Sequence, residues 1–317
     1  NNQTVHWRAV RTRLATGRRH ARHFMLWRYL LLTVGVFSTS MSVILIRMSP
    51  TQPVVLSALR LLLAGGLLLP VFLHEWRGHG RGFTAAHWRC TLAPSLLLAL
   101  HFSSWSYGAR LTGTAQASLI VNLVPVAMPF LLHWLVRERI NRIEIAGTAI
   151  ALAGVALLML PDALAGGGDF RGNFICFVSM LLVAGYVALS RRNRDFPSLW
   201  LYVVPIYLQS GLICLVAALP WLGAFGTHGA REWWLVVALA VVPTILGHTI
   251  INHALRHIRG QVVGLFTAAQ FIFPTVVAYL CFDERPVARF YLASLVVIAG
   301  ISLVIFSAPS APPPAVE

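Results

Sequence analysis

Ten long apolar runs, nearly free of charge in their interiors, follow one another along this chain. They lie near 29–47, 54–73, 91–109, 114–136 and 142–160, then near 173–190, 199–220, 233–252, 260–281 and 288–307. About 20 apolar residues match the roughly 30 Å hydrocarbon core of a bilayer at 1.5 Å per helical residue. A helix satisfies every backbone N–H and C=O within hydrocarbon by itself, without closing a barrel. The expected fold is therefore an all-α integral membrane protein of ten transmembrane helices.

Composition leaves no room for a soluble domain beside them. The 317 residues are 57% hydrophobic and 11% charged, whereas a soluble domain carries roughly 25% charged residues. The net charge of +15 is carried by Arg alone, with no Lys. These cations are scattered over many short loops and form no single face, which argues against a nucleic-acid partner. Cys90, Cys176, Cys214 and Cys281 lie in or beside apolar runs without metal-type spacing, and are read as buried thiols. No cofactor is expected.

Arginine sets the direction of the chain. With the N-terminus inside, 18 Arg fall on the cytoplasmic side, and Arg47, Arg110, Arg171, Arg231, Arg285 and Arg289 outside. That bias predicts cytoplasmic termini. Residues 1–28, with seven Arg, read as a basic tail at anionic lipid, and the run after Trp27 as a signal anchor. Residues 308–317 read as a disordered Pro-rich tail.

The ten runs are two sets of five. A shift of 146 lays Ser106–Arg110 on Asn252–Arg256, Glu138–Arg139 on Glu284–Arg285, and Gly154 on Gly300. Arg47 and Arg191, each six residues before a proline, correspond at a shift of 144. Because five is odd, the second copy is expected to cross in the opposite sense, an inverted-repeat plan of secondary transporters with a central cavity between 29–160 and 173–307.

These residues also carry a family resemblance. Pro53 precedes a span containing Arg60, the stretch Tyr107 to Pro125 leads to Glu138, and Gly147 to Gly154 follows; the second copy repeats this from Thr249 through Glu284 to Gly300. The chain resembles the drug/metabolite transporter superfamily, EamA-type branch, over roughly 28–308. That resemblance implies a ten-helix fold around a central cavity and metabolite transport, often efflux, in a bacterial plasma membrane. One departure is visible: Pro125 lies thirteen residues before Glu138, but Pro274 only ten before Glu284, with Phe271 at the matching place. The bend of the ninth span is the feature this puts in question.

Polar side chains at mid-depth are costly unless they pair or face a cavity. Span midpoints carry Thr39, His101, Asn122, Gln209, Thr244 and Gln270, with His248 one turn after Thr244. These seven are the candidate solute-binding residues; the competing reading for each is an interhelical hydrogen bond. Arg60 is the one cation well inside a span, suited either to a substrate carboxylate or to tying neighbouring helices. Pro125 and Pro274 are expected to kink the fourth and ninth spans. Glu138 with Arg139, and Glu284 with Arg285, are candidate latches at opposite faces. The fifth and tenth spans have apolar centres with small residues, Gly147, Ala151 and Gly154, then Ala293, Ala299 and Gly300. Such spacing suits close packing or a homodimer contact.

No acidic residue lies at mid-span, which leaves His101, His133 and His248 as the groups able to titrate near neutral pH there. Facilitated diffusion or exchange is the expected mechanism. A neutral belt favours an amino acid or comparable small polar metabolite. Two other classes remain open at this stage: a non-transporting scaffold or receptor, and an intramembrane enzyme built on the His253/His257 pair.

Overall fold

The computed structural model describes residues 27–79, 84–137, 140–164, 169–193, 195–227, 229–258, 263 and 266–307, and these residues contain helices and no strand. In chain order the helices are α1 (Trp27–Met48), α2 (Pro53–His79), α3 (Ala85–Leu111), α4 in two pieces (Thr114–Val121 and Val124–Val136) and α5 (Arg142–Leu164). The second half comprises α6 (Asp169–Arg192), α7 (Leu199–Ala218), α8 (Ala230–His257), α9 (Phe266–Phe282) and α10 (Ala288–Ser307). Each lies over one of the ten apolar runs. Six of them, α1, α2, α4, α6, α7 and α8, are long and apolar enough to cross a membrane by length and composition, while α9 and α10 are shorter apolar helices.

Glycines decide which helices touch. The tightest pairs are α5 with α10, α2 with α7, and α3 with α6. A Cβ added at Gly300 would lie 2.5 Å from the backbone of both Ala151 and Gly147, and one added at Gly147 would lie 2.7 Å from the Gly300 carbonyl. The small-residue faces of the fifth and tenth spans are thus packed on each other within one chain. Between α2 and α7 the fit is reciprocal. Leu208 fills the space over Gly65, and Leu62 fills the space over Gly211. Shifting Gly65 by 146 gives Gly211, and shifting Leu62 gives Leu208, so the contact maps onto itself when the halves are exchanged.

The same correspondence governs helix ends. Arg137 closes α4 and Asp283 closes α9, each in the left-handed region at φ 58° and 50°. They are 146 residues apart, and a left-handed residue at that position ends a helix by turning the chain away. The α4 axis is interrupted between Val121 and Val124, while α9 has a 3₁₀ turn at Ala269–Phe271 before its α-helical part, Ile272–Phe282. Both halves therefore break at matching places although their prolines do not align. Pro125 and Pro274 lie within one turn after each break, so each missing N–H removes the helical hydrogen bond to the carbonyl four residues back, Val121 or Gln270.

Candidate functional site

Among the described residues the largest fully buried side chain belongs to Arg60 on α2. Its Nε and Nη2 donate to Thr244 Oγ1 at 3.2 and 3.0 Å, and Nη1 donates to Ser42 Oγ on α1 at 3.2 Å. The guanidinium lies 4.2 Å from the centroid of the Phe102 ring, a cation–π arrangement. Trp105 Nε1 reaches the same Ser42 oxygen at 3.4 Å. Among the described residues no carboxylate faces this cation. The reading of Arg60 as a tie between helices is the one the geometry supports, with hydroxyls as its partners.

Thr244 is positioned by an irregular piece of α8. Residues Ala240–His248 form a π-helix containing Pro243. Proline has no N–H, so the Leu239 carbonyl lacks its usual donor four residues on. The Thr244 hydroxyl donates to that carbonyl at 2.8 Å while accepting from Arg60. Side-chain hydroxyls are a common remedy where proline frees backbone groups inside a membrane, and π segments concentrate at functional sites. Tyr207 on α7 completes the arrangement, its hydroxyl donating to the Thr244 carbonyl at 3.1 Å and lying 3.1 Å from Thr249 Oγ1.

His248 packs beside this cluster, its ring 5.2 Å from Phe102 and 6.5 Å from His101. His101 is held by α6, with Nδ1 2.8 Å from Ser179 Oγ and 3.0 Å from the Ser179 carbonyl. Farther along the polar stripe of α8, Asn252 donates to the Tyr186 hydroxyl at 2.7 Å. On the other side of α1, Thr39 Oγ1 lies 3.0 Å from Gln270 Oε1 of α9, and Gly247 of α8 approaches so closely that an added Cβ would sit 2.5 Å from Thr39 Cγ2.

Five of the seven candidate binding residues, Thr39, His101, Thr244, His248 and Gln270, thus lie along one seam, and Arg60 joins them. Two do not. Gln209 is turned into the α3–α7 contact, where Thr91 and Ser95 donate to its Oε1 at 3.0 and 2.7 Å. Asn122 caps the first piece of α4, donating to the Ser118 carbonyl at 2.7 Å. Ser42, Phe102, Pro243 and Tyr207 belong to the site although their sequence positions did not single them out. The adjacent Pro243-Thr244 pair was the legible signal among them.

One end of the seam is fastened by charge. Glu284 does not pair with its neighbour Arg285; it takes Arg47 at 2.5 Å and the backbone N–H of Thr114 at 3.1 Å. Arg285 is exposed and lies 3.7 Å from Asp283. Buried Glu232 accepts from Thr51 Oγ1 at 2.6 Å and from Ser49. Arg110 donates to the carbonyls of Ile46 and Thr51, and its repeat counterpart Arg256 donates to the Phe196 carbonyl at the other end. Glu138 lies outside the described residues.

Comparison with known proteins places this architecture. No curated protein matches the sequence. A solved structure described only as the crystal structure of a protein superposes with a TM-score of 0.62, covering 87% of this chain and 96% of its own at 17% identity, a likeness of fold. The family model for the EamA-like transporter family matches twice, over 26–160 and again over 170–306, one match to each half. The chain is a multi-pass membrane protein and belongs to the EamA-like transporter family.

Proposed function

We propose that the protein is a secondary transporter that moves a small polar metabolite, such as an amino acid, by alternating access of two inverted five-helix repeats, and that it works as an exporter. The observation that carries this reading is that the mid-depth polar contacts join one half to the other: Arg60 to Thr244, Thr39 to Gln270, and the ring of His248 against Phe102. A seam of hydrogen-bonding groups between two bodies is a surface that water and a solute can re-solvate when the bodies part. The exchange of Gly65–Leu208 for Gly211–Leu62 supports a two-fold relation. Two related halves supply two nearly equivalent arrangements, one open to each side.

Ten crossings, cytoplasmic termini and a place in a bacterial plasma membrane complete the proposal, on the Arg bias of the loops. Neutral hydrogen-bonding groups along the seam, with Arg60 held by hydroxyls, favour a small polar solute such as an amino acid. Facilitated diffusion or exchange fits a seam without acidic residues. A thermal-shift panel of amino acids, nucleosides, sugars and amines, followed by flux of the stabilising solutes into liposomes, tests the reading. The expectation is saturable flux of an amino acid or similar solute. Purified protein that moves nothing across the panel would favour a scaffold or receptor.

A further inference from the structure

Two cavities beyond the Arg60 cluster meet at α9 and α10. The first, about 390 Å³, lies at the end of the bundle that Arg47 and Glu284 fasten, and is polar. Its charged lining is Arg47, Arg110, Arg285 and Glu284. The second, about 350 Å³, runs between α9 and α10 along the apolar face and is lined by Phe271, Ile272, Val276, Tyr291 and Leu295 among others. Thr275 and Phe290 line both. Phe290 is fixed edge-on to Phe271, with ring centroids 6.0 Å apart, so the shared wall is rigidly placed.

The polar cavity has unused hydrogen-bonding capacity. Arg110 bonds two neutral carbonyls through Nε and Nη1, while its Nη2 is buried without a partner. The hydroxyl of Thr114, a fully buried residue of the same lining, is also unpartnered. Buried polar atoms of this kind are rare, and an anion or polar headgroup is one partner that would satisfy them. Glu284 is engaged by Arg47 and Thr114 N–H, Arg285 lies near Asp283, and Arg110 is within electrostatic reach of Glu232, while the cavity lining itself sets Arg47, Arg110 and Arg285 against Glu284.

We infer that these joined cavities form one binding site for an anionic single-chain amphiphile drawn from the adjoining leaflet, its phosphate or carboxylate head at Arg110 and Thr114 and its acyl chain in the α9–α10 groove. The charge of the head matches the arginines of the first lining, the continuity through Thr275 and Phe290 matches a head joined to a tail, and the apolar lining of the groove matches an acyl chain. The site lies at the fastened end of the seam, and its occupancy is readable without any transport assay.

Native mass spectrometry and thermal shift on the purified full chain test this with three probes: lysophosphatidylglycerol, a neutral monoacylglycerol of the same chain length, and inorganic phosphate. Lysophosphatidylglycerol is expected to bind at least about tenfold more tightly than the monoacylglycerol, and phosphate alone to give no shift. Arg110→Gln should remove that preference. Val276→Trp, at a half-exposed position in the groove, should weaken both chain-bearing probes without disturbing the fold, and so serves where Arg110→Gln fails to fold. Equal binding of the charged and neutral amphiphiles, or stabilisation by phosphate alone equal to that by the lysolipid, would overturn the proposal.

Discussion

At the scale of single residues, the central arrangement depends on one hydroxyl. Thr244 Oγ1 accepts from two guanidinium nitrogens of Arg60 and donates to the Leu239 carbonyl. Thr244→Val keeps the shape and removes all three bonds, leaving a buried cation short of partners. Hydrogen bonds to charged groups are worth about 1.5–3 kcal/mol, so a fall in thermal stability of that order in detergent is expected, with recovery in Thr244→Ser. An unchanged melting temperature in Thr244→Val would show that Arg60 is held by other contacts. His248, packed against Phe102 and not bonded to a carboxylate, is expected to tolerate His248→Gln with flux retained; loss of pH-gradient-driven flux alone would instead mark it as a proton carrier.

What was legible at this scale was depth, not direction. Counting to the middle of an apolar run finds residues at mid-bilayer, and it selected Thr39, His101, Thr244, His248 and Gln270. It equally selected Gln209, which the rotation of α7 turns toward Thr91 and Ser95. A run apolar on every side carries no periodic signal of which face is inward, so helix rotation was not readable. The Glu284 partner escaped for a related reason. Arg285 is adjacent in the chain but points to solvent, and Arg47 comes from a helix remote in sequence.

At the scale of elements, the glycine contacts discriminate sharply. A side chain at Gly300 would meet the backbone of Ala151 and Gly147 at 2.5 Å, where nothing can yield, whereas Gly66 has open space around it. Gly300→Val is expected to separate α5 from α10, at a cost of about 1–3 kcal/mol typical of overpacking. Gly66→Ala should be neutral or slightly stabilising, since glycine in a helix interior costs up to about 1 kcal/mol relative to alanine. Thermal unfolding monitored by size-exclusion chromatography separates the two, and equal behaviour would contradict the packing described. The register of the repeat was legible because Glu-Arg pairs and glycines recur at one shift. The breaks in α4 and α9 lie within one turn before Pro125 and Pro274, and their form, an interruption in one and a 3₁₀ turn in the other, was not legible.

At the scale of the whole molecule, two bodies are joined by a polar seam and fastened at one end by Arg47 and Glu284. Each of these side chains is 26% exposed, so the pair is within reach of solvent, and on the proposed alternating access it has to open. Glu284→Arg, which sets two cations against each other, is expected to change the rate and sidedness of flux; unchanged flux and sidedness would remove the latch.

The central claim is that α1 and α8, from different halves, must move apart for a solute to pass. A Cβ built at Gly35 lies 3.0 Å from the Ile250 Cβ, close to the roughly 3.5–4.5 Å of a disulfide. Gly35→Cys combined with Ile250→Cys, in a background where exposed Cys90 and Cys281 are replaced by serine, permits a reversible staple. The measurement is amino-acid flux in liposomes before oxidation, after oxidation and after reduction. The account predicts flux that stops on oxidation and returns on reduction. Flux that continues through the fully oxidised protein would contradict it.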